Sequence, residues 1–421
     1  MNVLRLPQSY PITSTALLLL GACGGSSEAA PAATGEHTPA RVRPGIEVLL
    51  TDSIDVVRGR RVALLTNHTG VDGEGRPSID RLYEHPEVEL VALFAPEHGI
   101  RGAAEAGELV ESGRDEQTGL PIHSLYGDTR KPTPAMLEGI DVLLYDIQDV
   151  GTRYYTYLST MALAMEAAGE AGIPFVVLDR PDPINGMTVQ GDVLDPEYST
   201  FVGRYPVPMR YGMTPGEFAR LVRGEFGVEV ELHVVPLDGW TRDLSFPETG
   251  LPWIAPSPNM PSVESALHYP GTCLFEGTNL SVGRGTPEAF QQIGAPWLDG
   301  EDLAQAMAAY DLPDVRVTAV SFTPRQPGDG KFGDETVQGV RLTALGPAYD
   351  PTRTAVALLI EARRMSGDRW DWREGHFDRL AGSDDLRLGI EAGRSLDAVT
   401  APWSEQRRAF EQLRSRYLIY P

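Results

Sequence analysis

Short apolar runs rich in β-branched residues alternate with helical patterns from about residue 61 to 235. The first, Arg61-Val62-Ala63-Leu64-Leu65, leads into Thr66-Asn67-His68-Thr69-Gly70. The second, from Val88 to Phe94, leads into Ala95-Pro96-Glu97-His98-Gly99. The third, from Asp141 to Asp146, leads into Ile147-Gln148-Asp149-Val150-Gly151, and the fourth, from Pro174 to Leu178, into Asp179-Arg180-Pro181. Continuously apolar strands of this length suit a parallel sheet covered on both faces. Between them the spacing predicts a helix over 78–84 and a stronger one over 154–169, where Leu158, Met161, Ala162 and Met165 recur at helical intervals. A fifth strand is expected within 228–235. The pattern is that of a doubly wound α/β domain with a mainly parallel sheet.

The texture changes after this. Residues 251–269, rich in Pro, Ser and Asn, read as loop, and Thr286-Pro287-Glu288 reads as a helix start. Strands over 315–322 and 337–345 mix with helices near 302–309, 354–364, 385–393 and 404–417, which predicts a smaller α+β C-terminal domain. Trp370-Asp371-Trp372 is either an aromatic sugar platform or a hydrophobic cap. No fixed-period repeat is present.

In open parallel sheets a ligand sits outside the carboxyl ends of the strands. All four strands end in polar residues and glycines, so Asn67, His68, Glu97, His98, Gln148, Asp149, Asp179 and Arg180 are candidates for one cleft. The alternative is that they shape turns and helix caps. No Gly-x-Gly-x-x-Gly follows the first strand and no P-loop is present, so no nucleotide is expected. A Gly-x-Ser-x-Gly elbow, a His-Glu-x-x-His pair and a multi-cysteine zinc pattern are all missing. No cofactor and no metal are therefore expected, although His68 and His98 with nearby carboxylates leave a metal open. What remains is carboxylate and histidine chemistry. The glycines flanking Arg284, in Gly283-Arg284-Gly285, either let backbone approach a ligand or form a packing turn.

Charge and the N-terminus alter the picture of partners. Acidic residues outnumber basic ones 59 to 36 in 421 residues, for a formal charge of −23. With no local basic patch, nucleic acid is excluded as a partner. All basic residues but Lys131 and Lys331 are arginines. Arg5 precedes an apolar stretch over 12–20, then Leu20-Gly21-Ala22-Cys23. This fits a signal peptide and resembles a bacterial lipobox. Residues 1–22 are expected to be removed, Cys23 lipidated, and 23–43 to form a Gly/Ser/Ala/Pro-rich tether. The expected location is an exported lipoprotein, anchored only by its lipid in the periplasm or at the cell surface. Cys273 then remains the lone thiol, so no intramolecular disulfide is expected.

Six strings together resemble one family. They are Leu64-Leu65-Thr66-Asn67-His68-Thr69-Gly70, the run from Phe94 through Pro96-Glu97-His98-Gly99 to Gly102, the run from Asp146 through Arg153-Tyr154-Tyr155-Thr156 to Tyr157, the run from Leu178 to Asn185-Gly186, Pro256-Ser257-Pro258-Asn259-Met260-Pro261, and the run from Glu276 through Asn279 and Arg284 to Thr286. In this order they resemble the bacterial exo-β-N-acetylmuramidases of the NamZ type, over nearly the whole body from about Arg43 to Tyr420. The resemblance implies a Rossmann-like domain without nucleotide over 44–262, a smaller domain over 263–421, and a cleft between them. It implies release of terminal N-acetylmuramic acid from the non-reducing end of peptidoglycan fragments, in cell-wall turnover and recycling. It also implies Glu97 as catalytic residue.

Glycoside hydrolysis usually requires a carboxylic acid and a second carboxylate, unless the acetamido group of the sugar attacks instead. Glu97, beside His98, is the expected general acid/base. Asp149, Asp179 and Glu276 are candidates for the second role. Arg153 and Arg284 are candidates for reading the lactyl carboxylate, and Tyr154 and Tyr157 for stacking on the sugar. Asn185, Asn259 and Asn279, inside the shared strings, complete the candidate binding set. Two other readings are a non-catalytic peptidoglycan-binding lipoprotein and a cell-wall deacetylase or amidase.

Overall fold

A computed structural model describes residues 41–101 and 112–421. The expected signal peptide, Cys23 and the tether as far as residue 40 lie outside the described residues. Arg41–Arg43, the end of the expected tether, already belong to the folded body. Val42 is buried and its N–H donates to the Thr249 carbonyl, while Arg43 exchanges main-chain hydrogen bonds with Asp238. All described residues belong to one compact unit.

The first half contains β1 (Arg61–Thr66), β2 (Glu89–Ala95), β3 (Gly113–Arg114), β4 (Pro121–Ser124), β5 (Val142–Asp146), β6 (Phe175–Leu178), a β7–β8 hairpin (Gln190–Val193 and Pro208–Arg210) and β9 (Leu232–Val235). Seven strands form one sheet in the order β3-β4-β2-β1-β5-β6-β9, all parallel except β3 against β4. Numbering only the parallel strands along the chain gives 3-2-1-4-5-6, the order of dinucleotide-binding folds, with its reversal between β1 and β5. Strand β4 escapes the sequence pattern because Pro121 and His123 interrupt its apolar run, and β9 is shorter than expected.

Side-chain alternation explains why the strands are apolar throughout. Val62 and Leu64 of β1, with Leu93, Leu144 and Val176, face α1 (Gly45–Asp52) and α2 (Ser78–Tyr83). Ala63 and Leu65, with Phe94, Leu143, Tyr145 and Phe175, face α3 (Tyr157–Ala171) and α4 (Pro215–Glu225). Helix α3 begins three residues later than its periodicity suggests, because 154–156 turn toward the site described below.

The second half contains α5 (Val263–Thr272), β10 (Gln292–Ala295), α6 (Gly300–Met307), β11 (Val315–Phe322), β12 (Val337–Ala344) and five further helices. These are α7 (Pro351–Ser366), α8 (Glu374–Ala381), α9 (Asp385–Glu391), α10 (Leu396–Thr400) and α11 (Trp403–Arg414). Strands β10, β12 and β11 form an antiparallel sheet. Two expectations fail here. Part of the loop expected over 251–269 is helix α5, started by the Ser262 hydroxyl on the Ser265 N–H and continuing through Pro270. A Cβ on its Gly271 would meet the Pro351 carbonyl oxygen at 2.0 Å, so this helix and α7 touch through backbone. Thr286-Pro287-Glu288 forms turns instead of a helix, with the Thr286 hydroxyl bonded to the Gly283 carbonyl.

The core on the α3 face continues without a break into Leu274, Phe275, Leu358 and Phe377 of the second half. Residues 414–421 then return to the first half. The Arg414 guanidinium bonds the carbonyls of Gly186, Gly212 and Met187, and the Ile419 N–H donates to Glu217. The Tyr420 phenol donates to Asp179 Oδ2 at 2.5 Å, and the Pro421 carbonyl accepts from the Arg242 N–H. Among the described residues no helix is long and apolar enough to cross a membrane.

Candidate active site

The strand ends do not all open onto one crevice. At the reversal between β1 and β5 they bond to one another. The Asp146 carboxylate takes Arg180 through Nε at 2.5 Å and the Ser78 hydroxyl at 2.5 Å. The Gln148 N–H donates to Thr69 Oγ1, whose hydroxyl donates to Asn67 Oδ1. Gln148 Nε2 donates to the carbonyls of Asp149 and Pro181, and a His68 ring nitrogen lies 2.7 Å from the Ala255 carbonyl. Asn67, His68, Gln148 and Arg180 therefore build the turns, as the alternative reading has it, and fill the place a dinucleotide would take. His68 is turned into this packing, and among the described residues no group of three or more His, Cys, Asp or Glu is arranged to hold a metal.

The open cleft lies to one side, beyond β2, and is lined by residues of both halves. Strand β2 delivers Glu97 two residues past its end. The turn that carries it closes through the Gly99 N–H on the Pro96 carbonyl and puts His98 at φ 71°, a left-handed conformation that costs a non-glycine residue about 1 kcal/mol or more. Such strain persists where surrounding structure fixes it, and it aims Glu97 into the cleft beside the buried His98. The Thr156 hydroxyl, at the start of α3, donates to Glu97 Oε2 at 2.6 Å. The Tyr126 phenol also faces Glu97. Burial, with the charge of Glu97, pushes that phenol up to about 12.

Aromatic rings form one wall. Tyr154 and Tyr157 line it, and their phenols donate to the carbonyls of Pro270 and Pro256. Tyr154 packs edge-on against Tyr269 at 5.6 Å, and Tyr269 against Phe290 at 4.7 Å.

The second half supplies Tyr269 and Phe290 of that wall and also the charged part of the lining. Glu276 sits in the tight helical turn Cys273–Gly277, and Arg284 grips it with Nε at 2.6 Å and Nη2 at 2.5 Å from Oε1. Burial alone would raise the Glu276 pKa. The Arg284 guanidinium overrides this, with help from Lys331, and holds the group below the usual carboxylate range. Lys331 Nζ donates to the carbonyls of Phe275 and Leu280 on either side of Glu276, and burial pulls its pKa down to about 8. His376 of α8 completes the wall, its pKa lowered by burial. Glu97 and Glu276 thus line one cleft, the first delivered by the α/β half and the second by the other half.

The remaining candidates fall elsewhere. Asp149 is buried off the cleft, accepting from the Tyr211 phenol and the Gly151 N–H, and burial pushes it up to about 7. Asp179 accepts from Thr214, Gly216 and Tyr420, and burial also raises it to about 7. Neither lines the cleft, which leaves Glu276 among the three candidate second carboxylates. Arg153 is a correction too. Its guanidinium donates to the carbonyls of Asp192, Val207, Leu380 and Ala381, tying the β7–β8 region to α8. Asn185 folds back on Met187 and Thr188, and Asn279 ties to the carbonyl of Arg369 and the N–H of Asp371. Asn259 is buried beside the cleft residue Met260.

The glycines flanking Arg284 serve packing, not ligand approach. Gly285 sits at φ 76°, and a Cβ there would stand only 2.4 Å from the Arg325 carbonyl oxygen. Trp370 and Trp372 likewise cap the core, with Trp372 packed on Phe377 at 4.5 Å. The sequence reading passed over Thr156, Ser257, Met260, Tyr269, Phe290, His376 and Lys331. Thr156 and Ser257 lay inside strings already singled out, and Lys331 is one of two lysines in an arginine-rich chain. His376 carries no local signal.

Comparison with known proteins is consistent along the whole body. The sequence model described as exo-β-N-acetylmuramidase NamZ, N-terminal, matches residues 62–264, and its C-terminal counterpart matches 267–420. The chain is 43% identical over 408 residues to the peptidoglycan β-N-acetylmuramidase NamZ of Bacillus subtilis strain 168, covering 96% of this chain and 98% of that protein. Two crystal structures of DUF1343 family proteins from Bacteroides fragilis NCTC 9343 share the fold. One has a TM-score of 0.85 at 37% identity and the other 0.71 at 33%, each covering 90% of this chain and 99% of its own.

Proposed function

The chain belongs to the exo-β-N-acetylmuramidase NamZ family, and from that premise we propose that it is an exo-acting glycoside hydrolase releasing terminal N-acetylmuramic acid from the non-reducing end of peptidoglycan fragments. The observation that supports the reading at the level of chemistry is that Glu97 and Glu276 both line one cleft. Glu97 is the general acid/base. Its carboxyl proton passes to the glycosidic oxygen as the C1–O bond breaks, and its carboxylate later takes a proton from the water that adds to C1. Thr156 fixes the carboxyl through Oε2. Glu276, kept anionic by Arg284, stabilises the positive charge that develops at C1 and orients the attacking group, whether water or the acetamido oxygen of the sugar. Tyr154, Tyr157 and Tyr269 offer ring faces and edges to the sugar.

The proposal includes location. Cys23 following Leu20-Gly21-Ala22 supports lipidation after export, and the residues up to about 40 support a tether that lets the body reach peptidoglycan fragments. Replacing Cys23 with Ser should move the protein from the membrane to the soluble fraction.

The decisive experiment uses protein beginning at residue 41, a chromogenic β-N-acetylmuramide and its N-acetylglucosaminide counterpart, with and without chelator. Release from the muramide alone, unaffected by chelator and lost in Glu97→Gln at an unchanged melting temperature, is the expected result. Near-normal activity of Glu97→Gln would remove Glu97 from its role. Binding of glycan fragments without any release would make the protein a peptidoglycan-binding lipoprotein instead.

A further inference from the structure

Muramic acid differs from glucosamine by a lactyl carboxylate, and the two arginines expected to read it are engaged. Arg153 is used up on four carbonyls, and Arg284 is neutralised by Glu276. A third arginine near the cleft is not engaged in this way. Arg130 lies in the segment after β4, and its guanidinium carbon sits 4.2 Å from the ring centre of Phe201 and 5.7 Å from that of Tyr126. Those two rings are 6.2 Å apart, tilted by 46°.

Each ring leads to the cleft. The Tyr126 phenol faces Glu97, and Phe201 adjoins Val202 in the cleft lining. Arg130 is exposed and has no hydrogen bond or ion pair among the described residues. Its neighbours differ: Lys131 pairs with Glu170, and Arg204 with Glu166. Contact with an aromatic face holds a guanidinium in place without consuming its N–H groups, and the planar fork of those groups matches a carboxylate.

We propose that Arg130, held on the shelf of Tyr126 and Phe201, is the specificity residue that recognises the lactyl carboxylate of the substrate. The assignment rests on the muramidase reading. In a chain with a net charge of −23, an anionic sugar needs such a local cation to approach Glu97.

The test compares a chromogenic muramide carrying the free lactyl carboxylate with the same glycoside as its lactyl carboxamide. Wild-type protein should prefer the carboxylate by about tenfold in kcat/KM, mostly through KM, which is what one charge-assisted contact at a wet rim supplies. In Arg130→Ala that ratio should fall to about one, and Arg130→Lys should restore part of it. Melting temperatures of both variants should match wild type, because the side chain is exposed. If Arg130→Ala weakens both substrates equally, the shelf acts by stacking and the carboxylate assignment is overturned. A wild-type enzyme indifferent to the carboxamide overturns it as well. Hydrolysis of neither substrate by wild type would overturn the hydrolase reading itself, and the role of Arg130 with it.

Discussion

Replacing Arg284 with methionine isolates what its ion pair does. The side chains of Arg284 and Glu276 are only 14% and 16% exposed, so the variant strands a carboxylate in a site where burial weighs most heavily on it. Breaking a buried pair by deleting one partner costs about 3–5 kcal/mol. A folded body of about 380 residues has an unfolding entropy near 0.8 kcal/mol/K, so the melting temperature at pH 7 should drop by about 4–6 °C. The drop should depend on pH in a definite direction. In wild type the Glu276 pKa is depressed, so its stabilisation is complete above the unfolded value and is lost as pH falls through the folded one. In the variant the uncompensated carboxyl takes up a proton at higher pH, and the gap between the two melting curves narrows from pH 7 toward pH 4. The acid limb of the pH–rate profile should shift upward for the same reason. Thermal melts from pH 4 to 8 and a pH–rate profile on the muramide read both effects. A Glu276→Gln, Arg284→Met double variant should regain part of the stability and none of the activity. Equal melting temperatures and an unmoved acid limb would refute the claim that Arg284 sets the charge of Glu276.

Three further outcomes follow from the same geometry. Arg153→Met leaves four buried carbonyls short of donors, so it should cost several kcal/mol and sharply reduce soluble yield; a melting temperature within 1 °C of wild type would contradict its structural role. Asp149→Asn should keep turnover within about threefold, because burial holds this carboxyl up to about 7 and it stands off the cleft; loss of turnover in a well-folded variant would return it to the catalytic set. Burial pushes both Asp149 and Asp179 up to about 7 in the folded chain, so between about pH 4 and 7 the folded chain holds protons that the unfolded chain releases, and stability falls as pH rises. Melting should therefore peak on the acid side of neutrality, and the slope should lessen in Asp149→Asn; a melting temperature rising from pH 5 to 8 would contradict this.

The parallel sheet was legible because its strands are covered on both faces, which forces unbroken runs such as Val62–Leu65 and Val142–Tyr145. Helix α5 was not, because its stability comes from contact with α7 at Gly271 and from the Ser262 cap, neither of which leaves a periodic apolar stripe. Polar residues at strand ends pointed to the correct edge of the sheet without separating two roles. Glu97 opens onto a cavity, whereas Asp146, Gln148 and Asp179 close a gap between neighbouring loops. The difference depends on which loops meet, and that is set by pairings up to 241 positions apart, such as Asp179 with Tyr420. Arg153 and Arg284 stand in distinctive strings, and nothing in those strings announces that their guanidinium groups bond to carbonyls and to Glu276.

The return of residues 414–421 to the first half has a consequence for the order of events in synthesis. Asp179, Glu217 and Arg242 belong to elements made well before Tyr420, yet each receives a hydrogen-bonding partner from that late segment. Two of the three are buried carboxylates that would otherwise lose a donor. The α/β half therefore cannot reach its final stability while it alone has emerged from the ribosome. It stays incompletely latched until nearly the whole body has been made, so the last few residues decide when the α/β half locks.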